Sequence, residues 1–340
     1  MKAKRVTLGD VAREAEVSVT TASFVLSGRE GMRISEVTTE RVRAVATRLG
    51  YRPNMTARSL RSNITLTLGM VADCIGSAPY AGDMIRGAVD QAARSSRLVI
   101  VAETEDFAAD GADLVDAMLD RRVDGLIYGA MFTRRVTPPA ALASVPHVFL
   151  NCLPDIQTGP SVIPDERTAG RTAAAALLDA GRTEGVYYLG GRQVTDTQPE
   201  GIYAGRERTL GIAEEFRRRG AVLAGTVESD WTPECGYEAA RQVLRSAPRP
   251  RALICGNDRT AMGAYQALAE AGLAVPDDVS VVSFDDSELA GWLRPALSSV
   301  ALPHHELGAR AVELLVAGDL DPVLHRLPMP LAVRSSIAPR

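Results

Sequence analysis

Apolar positions recur every three to four residues through the first fifty, and then the period changes. In VTLGDVAREAE, Leu8, Val11, Ala12 and Ala15 share one helical face, and Thr7 precedes them as an N-cap. Glu16 and Val17 turn the chain, and Ser18 caps a second helix that runs to about Leu26. SEVTTERVRAVATRLG predicts a third helix. Ser35 caps it, Val37, Val42, Val45, Ala46 and Leu49 form its buried stripe, and Gly50 stops it. Two short helices across a tight turn, braced by a third, describe a helix-turn-helix, although any three-helix bundle has the same spacing.

From residue 64 apolar runs alternate with amphipathic helices. LTLGMVAD, LVIVAET, VDGLIYGA, PHVFLN and SVIPD read as strands or extended segments, with PYAGDMIRGAVDQAARSS and DGADLVDAMLDRR as helices among them. TAGRTAAAALLDAG opens a second series, continuing through EGVYYLG, AGRERTLGIAEEFRRRG and AVLAGTVES to VSVVSFDD. Such alternation predicts α/β architecture with two doubly wound parallel-sheet lobes of about 100–130 residues each. No tight sequence repeat relates the halves.

Charge separates the two textures. Residues 1–63 hold twelve Lys/Arg against six Asp/Glu, and the remainder holds 26 against 36. A basic head on an acidic body favours a polyanion as the partner of the head alone. Only Lys2 and Lys4 are lysines, so the body has none for a P-loop, a Schiff base or a general base. Cys74, Cys152, Cys235 and Cys255 form no C-x-x-C pair, which fits a reducing compartment. No apolar run approaches the roughly 20 residues of a membrane helix, and residues 1–20 are too polar for a secretory signal. A cytoplasmic, nucleoid-associated protein without membrane partner is expected. Neither G-x-S-x-G, H-E-x-x-H nor G-x-G-x-x-G occurs, so no catalytic residue, cofactor or metal is expected. His304 and His305 are adjacent and do not share a helix face as metal ligands require.

VTLGDVAREAEVSVTTASFVLSG, with RISEVTTERVRAVATRLGYRPNMTARSLRS after it, resembles the head of a LacI/GalR-family transcriptional repressor. VAREAEVSVTTAS and GYRPNMTARSL are the most specific parts of that likeness, and a looser resemblance runs through the body. It implies that the second helix enters the major groove, with Val19, Thr20 and Phe24 at base edges and Ser18, Thr21, Ser23 and Thr7 at phosphates. Phe24 departs from the long polar or basic side chain frequent there, and it suits a thymine methyl better than guanine. Tyr51 joins the DNA-contacting set. The resemblance also implies that Asn54 caps a hinge helix, MTARSLR, in which Ala57 faces the groove floor and Leu60 wedges a base step open; a flexible linker is the other reading of MTARSLRSN.

The resemblance divides the chain into a head, residues 1–52, a hinge, 53–63, and a sensor, 64–340. The sensor is expected to have a periplasmic-binding-protein-like fold. Its first lobe comprises about 64–163 with 301–322, and its second about 164–300 with 323–340. Strand ends carry residues matching effector positions: Asn151, Asp165, Arg208, Trp231, Asn257 and Asp285. Asp165, Asn257 and Asp285 also suit helix caps, Trp231 suits lobe packing and Arg208 a solvated charged face. His304 stands where a cleft mouth is expected. The expected function is a dimeric repressor on a near-palindromic operator, controlled by a sugar or related polyol. The rival readings are a repressor without a small effector and an α/β enzyme.

Overall fold

Three side-chain oxygens start the helices of the head. The computed structural model describes residues 6–27, 34–51, 64–75, 82–104, 110–190 and 203–339. The chain divides into Met1–Thr65 and Leu66–Arg340. In the first unit, α1 (Leu8–Glu14), α2 (Val19–Ser27) and α3 (Glu36–Arg48) follow Thr7, Ser18 and Ser35. Thr7 and Asp10 form a reciprocal capping box, Asp10 N donating to Thr7 Oγ1 over 3.3 Å and Thr7 N to Asp10 Oδ2 over 2.9 Å. The hydrogen bonds from Thr7 hold the Asp10 carboxyl below its usual range. Val11, Ala12, Ala15, Ala22, Val25, Val42, Val45 and Ala46 make the core. Val37 lies outside the expected stripe, at 74% exposure. Five residues at 3.6 per turn put it about 140° round the helix from Val42. Asn54, Ala57 and Leu60 lie outside the described residues.

The second unit contains two six-stranded sheets. The first runs in the order β11-β5-β4-β3-β1-β2, from β1 (Thr67–Asp73), β2 (Leu98–Thr104), β3 (Gly125–Val136), β4 (His147–Pro154), β5 (Ser161–Pro164) and β11 (Leu324–Leu327). All its pairings are parallel. On one face α4 (Gly82–Arg94) and α11 (His304–Ala317) bury Met84, Ala88, Leu307 and Ala311; on the other, α5 (Ala112–Asp120) buries Val115 and Met118.

In the second sheet the order is β12-β10-β9-β8-β6-β7: β6 (Val186–Leu189), β7 (Gly225–Val227), β8 (Ala252–Cys255), β9 (Ser280–Asp285), β10 (Ser298–Ala301) and β12 (Leu331–Ala332). β12 alone is antiparallel. α6 (Glu166–Asp179) and α7 (Ala204–Arg218) cover one face, and α8 (Pro233–Leu244) and α9 (Asp258–Glu270) the other. A short α10 (Glu288–Trp292) follows β9.

Helix pairs cross through reciprocal glycines. A Cβ on Gly170 would lie 2.3 Å from Arg208 O, and one on Gly211 2.0 Å from Arg167 O, so α6 and α7 touch backbone to backbone. Gly87 with Gly308, and Gly236 with Gly263, do the same for α4–α11 and α8–α9.

Chain crossovers between the sheets follow β5, β10 and β11. The last corrects the expected boundary, because residues 323–327 belong to the first lobe. Leu324 to Leu327 pair in parallel with Ser161 to Pro164, covering the edge of β5, and Leu320 and Leu327 pack on the first-lobe core. The return to the second sheet therefore comes after Leu327.

Candidate functional site

On the head, α2 buries Ala22 and Val25 and leaves Val19, at 53% exposure, and Thr20 facing water. Ser18 Oγ accepts from Thr21 N over 3.0 Å and lies 2.8 Å from Thr21 Oγ1, setting two hydroxyls at the helix start. Ser23 and Phe24 are half-buried on its flank, and Tyr51 packs partly against the core. Thr7 Oγ1 donates to Asp10 Oδ2, so its hydroxyl proton already has an acceptor. The face that remains is small, hydroxylated and apolar, a shape suited to close approach in a groove.

The effector candidates fall on both lobes. Asn151, in the first, is 4% exposed and has φ 55°. Its Nδ2 donates to Ala130 O and Met131 O, each over 2.9 Å, and its Oδ1 accepts from Thr133 Oγ1 over 2.5 Å. These bonds hold the register shift of β3 against β4 between Gly129 and Arg134. Both amide protons are thereby used within the lobe. Beside the shift, Arg134 pairs with Asp73 over 2.5 Å, and Met131 N donates to Asp73 Oδ1 over 2.6 Å. Burial raises the Asp73 pKa above its ordinary value, against the pull of Arg134. Asp73, Arg134, Tyr128 and Thr104 line a small pocket at these strand ends. His304 begins α11 and is partly exposed.

Four candidates meet in the second lobe. Arg208, 1% exposed, donates from Nε to Glu166 Oε2 over 2.6 Å and from Nη2 to Glu166 Oε1 over 3.1 Å. Nη1 donates to Gly256 O over 2.6 Å. The guanidinium carbon lies 5.1 Å from the Trp231 ring centroid and 4.5 Å from that of Phe284. Asp285 Oδ1 is 3.8 Å from Arg208 Nη2. Asn257 caps α9 through Oδ1 and donates from Nδ2 to Trp231 O over 3.2 Å, which fixes the tryptophan's positive-φ backbone. Trp231 is therefore buried in the cluster rather than spread on the lobe surface. Asp165 caps α6, its carboxylate accepting from Thr168 N, while its neighbour Glu166 turns inward to Arg208. Asp285 caps no helix: Ser287 occupies that position before α10.

Asp258, fully buried, accepts from Ser283 Oγ, Ser299 Oγ, Ser287 N and Ser287 Oγ at 2.5–2.8 Å. Burial raises its pKa and the serine bonds oppose that. Glu166, Asp258, Asp73, Arg134 and Thr133 were not among the sequence candidates. Glu166 in a first helical turn reads as a partner of the helix dipole, and Arg134 in TRRV as a solvated charge. The signal for Arg208 was stronger than its setting: the residue is the largest fully buried side chain among those described.

Residues 7–54 match the model of bacterial regulatory proteins of the lacI family, and residues 174–337 that of a periplasmic binding protein-like domain. Catabolite control protein A of Priestia megaterium is 31% identical over 313 residues, covering 91% of each chain. The ribose operon repressor of Escherichia coli K12 is 30% identical over 326 residues, covering 94% of this chain and 95% of that one. A crystal structure of the lac repressor dimer bound to operator and the anti-inducer ONPF superposes with TM-score 0.77 at 27% identity, over 98% of this chain and 100% of that one. The chain belongs to the lacI family of bacterial regulatory proteins.

Proposed function

We propose that the protein is a transcriptional repressor which binds operator DNA as a homodimer and whose affinity for it is set by a small effector, a sugar or related polyol. It regulates rather than catalyses, and acts in the cytoplasm where the chromosome lies. Residues 1–52 dock on DNA, 53–63 form the hinge and 64–340 sense the effector. Within the head, Val19, Thr20 and Phe24 contact base edges. Ser18, Thr21, Ser23, Thr7 and Tyr51 contact the backbone, and Asn54, Ala57 and Leu60 serve the hinge. The observation that carries the DNA reading is the outward face of α2, where Val19 and Thr20 are exposed beside the paired hydroxyls of Ser18 and Thr21.

The effector reading rests on the grouping of Arg208, Trp231, Asn257 and Asp285 at the carboxyl ends of second-lobe strands, where ligands of doubly wound sheets bind. Asn151 acts from the first lobe by shaping the β3 shift, and Asp165 by setting the start of α6. The ribose operon repressor and the cellobiose complex of the transcriptional regulator CelR support a sugar ligand here. Two apolar surfaces suit the homodimer: β2, the edge strand, with Leu98 at 71% exposure, and Trp292 at 65% on α10.

The test is binding of the intact protein to DNA upstream of its own gene, followed by anisotropy against salt with candidate sugars present and absent. A protected near-palindrome and a steep loss with salt are expected. Equal affinity for random duplex, or an affinity flat in salt, rejects the reading.

A further inference from the structure

This inference rests on reading the second-lobe cluster as the effector site, and it concerns what that site admits. Arg208 is the group an anionic ligand would seek, because its planar fork matches carboxylate and phosphate. Here the fork is already filled. Glu166 takes Nε and Nη2, Gly256 O takes Nη1, and the Trp231 and Phe284 rings lie over the guanidinium. Both charged side chains are 1% exposed. The tight α6–α7 crossing at Gly170 holds the Arg208 backbone against the helix that carries Glu166.

What the cluster leaves open is of opposite character. The Asp285 carboxylate accepts no hydrogen bond among the described residues, its contact with Arg208 being an ion pair at 3.8 Å, and 26% of the side chain is exposed. Its backbone has φ 102°, a left-handed conformation rare for a non-glycine residue and found where a side chain must be aimed. The buried indole N–H of Trp231 has no acceptor among the described residues, although the residue is only 8% exposed. The partly exposed Asp285 carboxylate, ion-paired with Arg208 but without a hydrogen bond, is therefore what the cluster presents to a ligand. Glu166 and Asp285 outnumber Arg208, Asp258 adds a further buried carboxyl nearby, and Arg259 lies exposed. A phosphate or carboxylate entering here would meet the Glu166 and Asp285 carboxylates and find the Arg208 fork already filled, with Arg259 the remaining exposed guanidinium nearby.

We infer that Glu166 determines effector specificity: by filling Arg208 it excludes phosphorylated and carboxylated sugars, and it leaves Asp285 to receive the hydroxyls or amine of a neutral or cationic one. The shared chemistry is a hydrogen-bond donor without negative charge. Hydroxyl and amine ligands differ in how much of their affinity survives removal of the Asp285 charge.

The test uses the intact protein with glucose, galactose and mannose, each as the parent sugar, the 2-amino sugar and the 6-phosphate, read by calorimetry and thermal shift. Any sugar that binds wild type should bind as the parent or amino form, with the 6-phosphate weaker by roughly ten-fold or more. Glu166→Gln frees part of the Arg208 fork, so the penalty on the phosphate should shrink to within a few-fold. Glu166→Asp keeps the charge and should keep the penalty, which guards against an E166Q variant that folds poorly. D285N should erase any preference for the amino form over the parent. A 6-phosphate that binds wild type as well as its parent, or a penalty unchanged in E166Q and folded E166D alike, overturns the inference while leaving the effector site in place. If no sugar binds any variant, the sugar reading of the cluster fails first and the inference with it.

Discussion

The hydroxyl of Thr133 donates to Asn151 Oδ1 over 2.5 Å, and the carbonyl of the same threonine accepts from Tyr203 N over 2.7 Å. Thr133 belongs to β3 of the first lobe and Tyr203 immediately precedes α7 of the second, so Asn151 supports a contact between lobes. Asn151→Ala removes two donors from buried carbonyls, each worth about 1–3 kcal/mol when left unsatisfied. The variant should melt several degrees lower and respond less to effector, as read by calorimetry and operator anisotropy. An unchanged melting temperature counts against the staple role.

At the start of α2 a different economy of bonds applies. Ser18 Oγ accepts from Thr21 N while remaining exposed, so its cap and its proposed phosphate contact share one atom. Ser18→Ala should cost the head about 1 kcal/mol in stability. It should also weaken specific and random duplexes by similar factors, because phosphate contacts carry no sequence information. A loss confined to the operator would make Ser18 a reader of bases.

The caps of Thr7, Ser18 and Ser35 were legible in the chain because each acts on residues three positions away. So were the long apolar strands, whose period needs no partner to be recognised. Asn151 was legible as a polar strand residue but not as a staple, since its acceptors lie 20 and 21 positions earlier. Glu166 and Arg208 are 42 apart, and only the crossing of α6 over α7 brings them together. The strand LHRL has four residues, two of them polar, and no β-branched side chain. Its membership of the first sheet follows from the free edge of β5, a property of the fold and not of those residues.

Leu98 and Trp292 are exposed apolar side chains on the two lobes, at 71% and 65%. Leu98→Asp and Trp292→Asp each place a charge where the proposed dimer buries apolar surface. Sedimentation should show monomers or a much weaker dimer. Operator affinity should fall by about two orders of magnitude as the second head loses its tether. Surface substitutions of this kind move monomer stability by only about 0.5 kcal/mol, so unfolding does not explain such a loss. Intact dimers in both variants would place the interface elsewhere.

Phe24 is half-buried on the flank of α2, next to the exposed Val19 and Thr20 face. A phenyl ring packs on a thymine methyl, whereas an arginine there can bond guanine O6 and N7. Phe24→Arg should therefore redirect the preferred base at one position of each half-site, with a discrimination of about 1–3 kcal/mol. Selection from a randomised half-site library measures this. Recovery of the same half-site by both proteins removes Phe24 from the base-reading set.

Burial raises the Asp285 pKa well above its ordinary 3.8; Arg208 opposes the shift, while Asp258 and Glu166 reinforce it. A carboxyl whose folded pKa is raised binds protons more readily folded than unfolded. Ionisation of Asp285 therefore destabilises the ligand-free protein as pH climbs from the ordinary carboxylate range through the raised value. Effector binding has the opposite preference, because a donor on the ligand bonds more strongly to the ionised form. Affinity should consequently fall as pH is lowered through a midpoint above the usual carboxylate range, well before exposed carboxylates titrate. Asp285→Asn should separate the two effects: a higher melting temperature without ligand at neutral pH, with effector affinity both reduced and flat across that pH interval. Calorimetry from neutral to mildly acid pH on both proteins decides the matter, and an asparagine variant that is less stable, or that keeps the wild-type pH profile, removes Asp285 from this role.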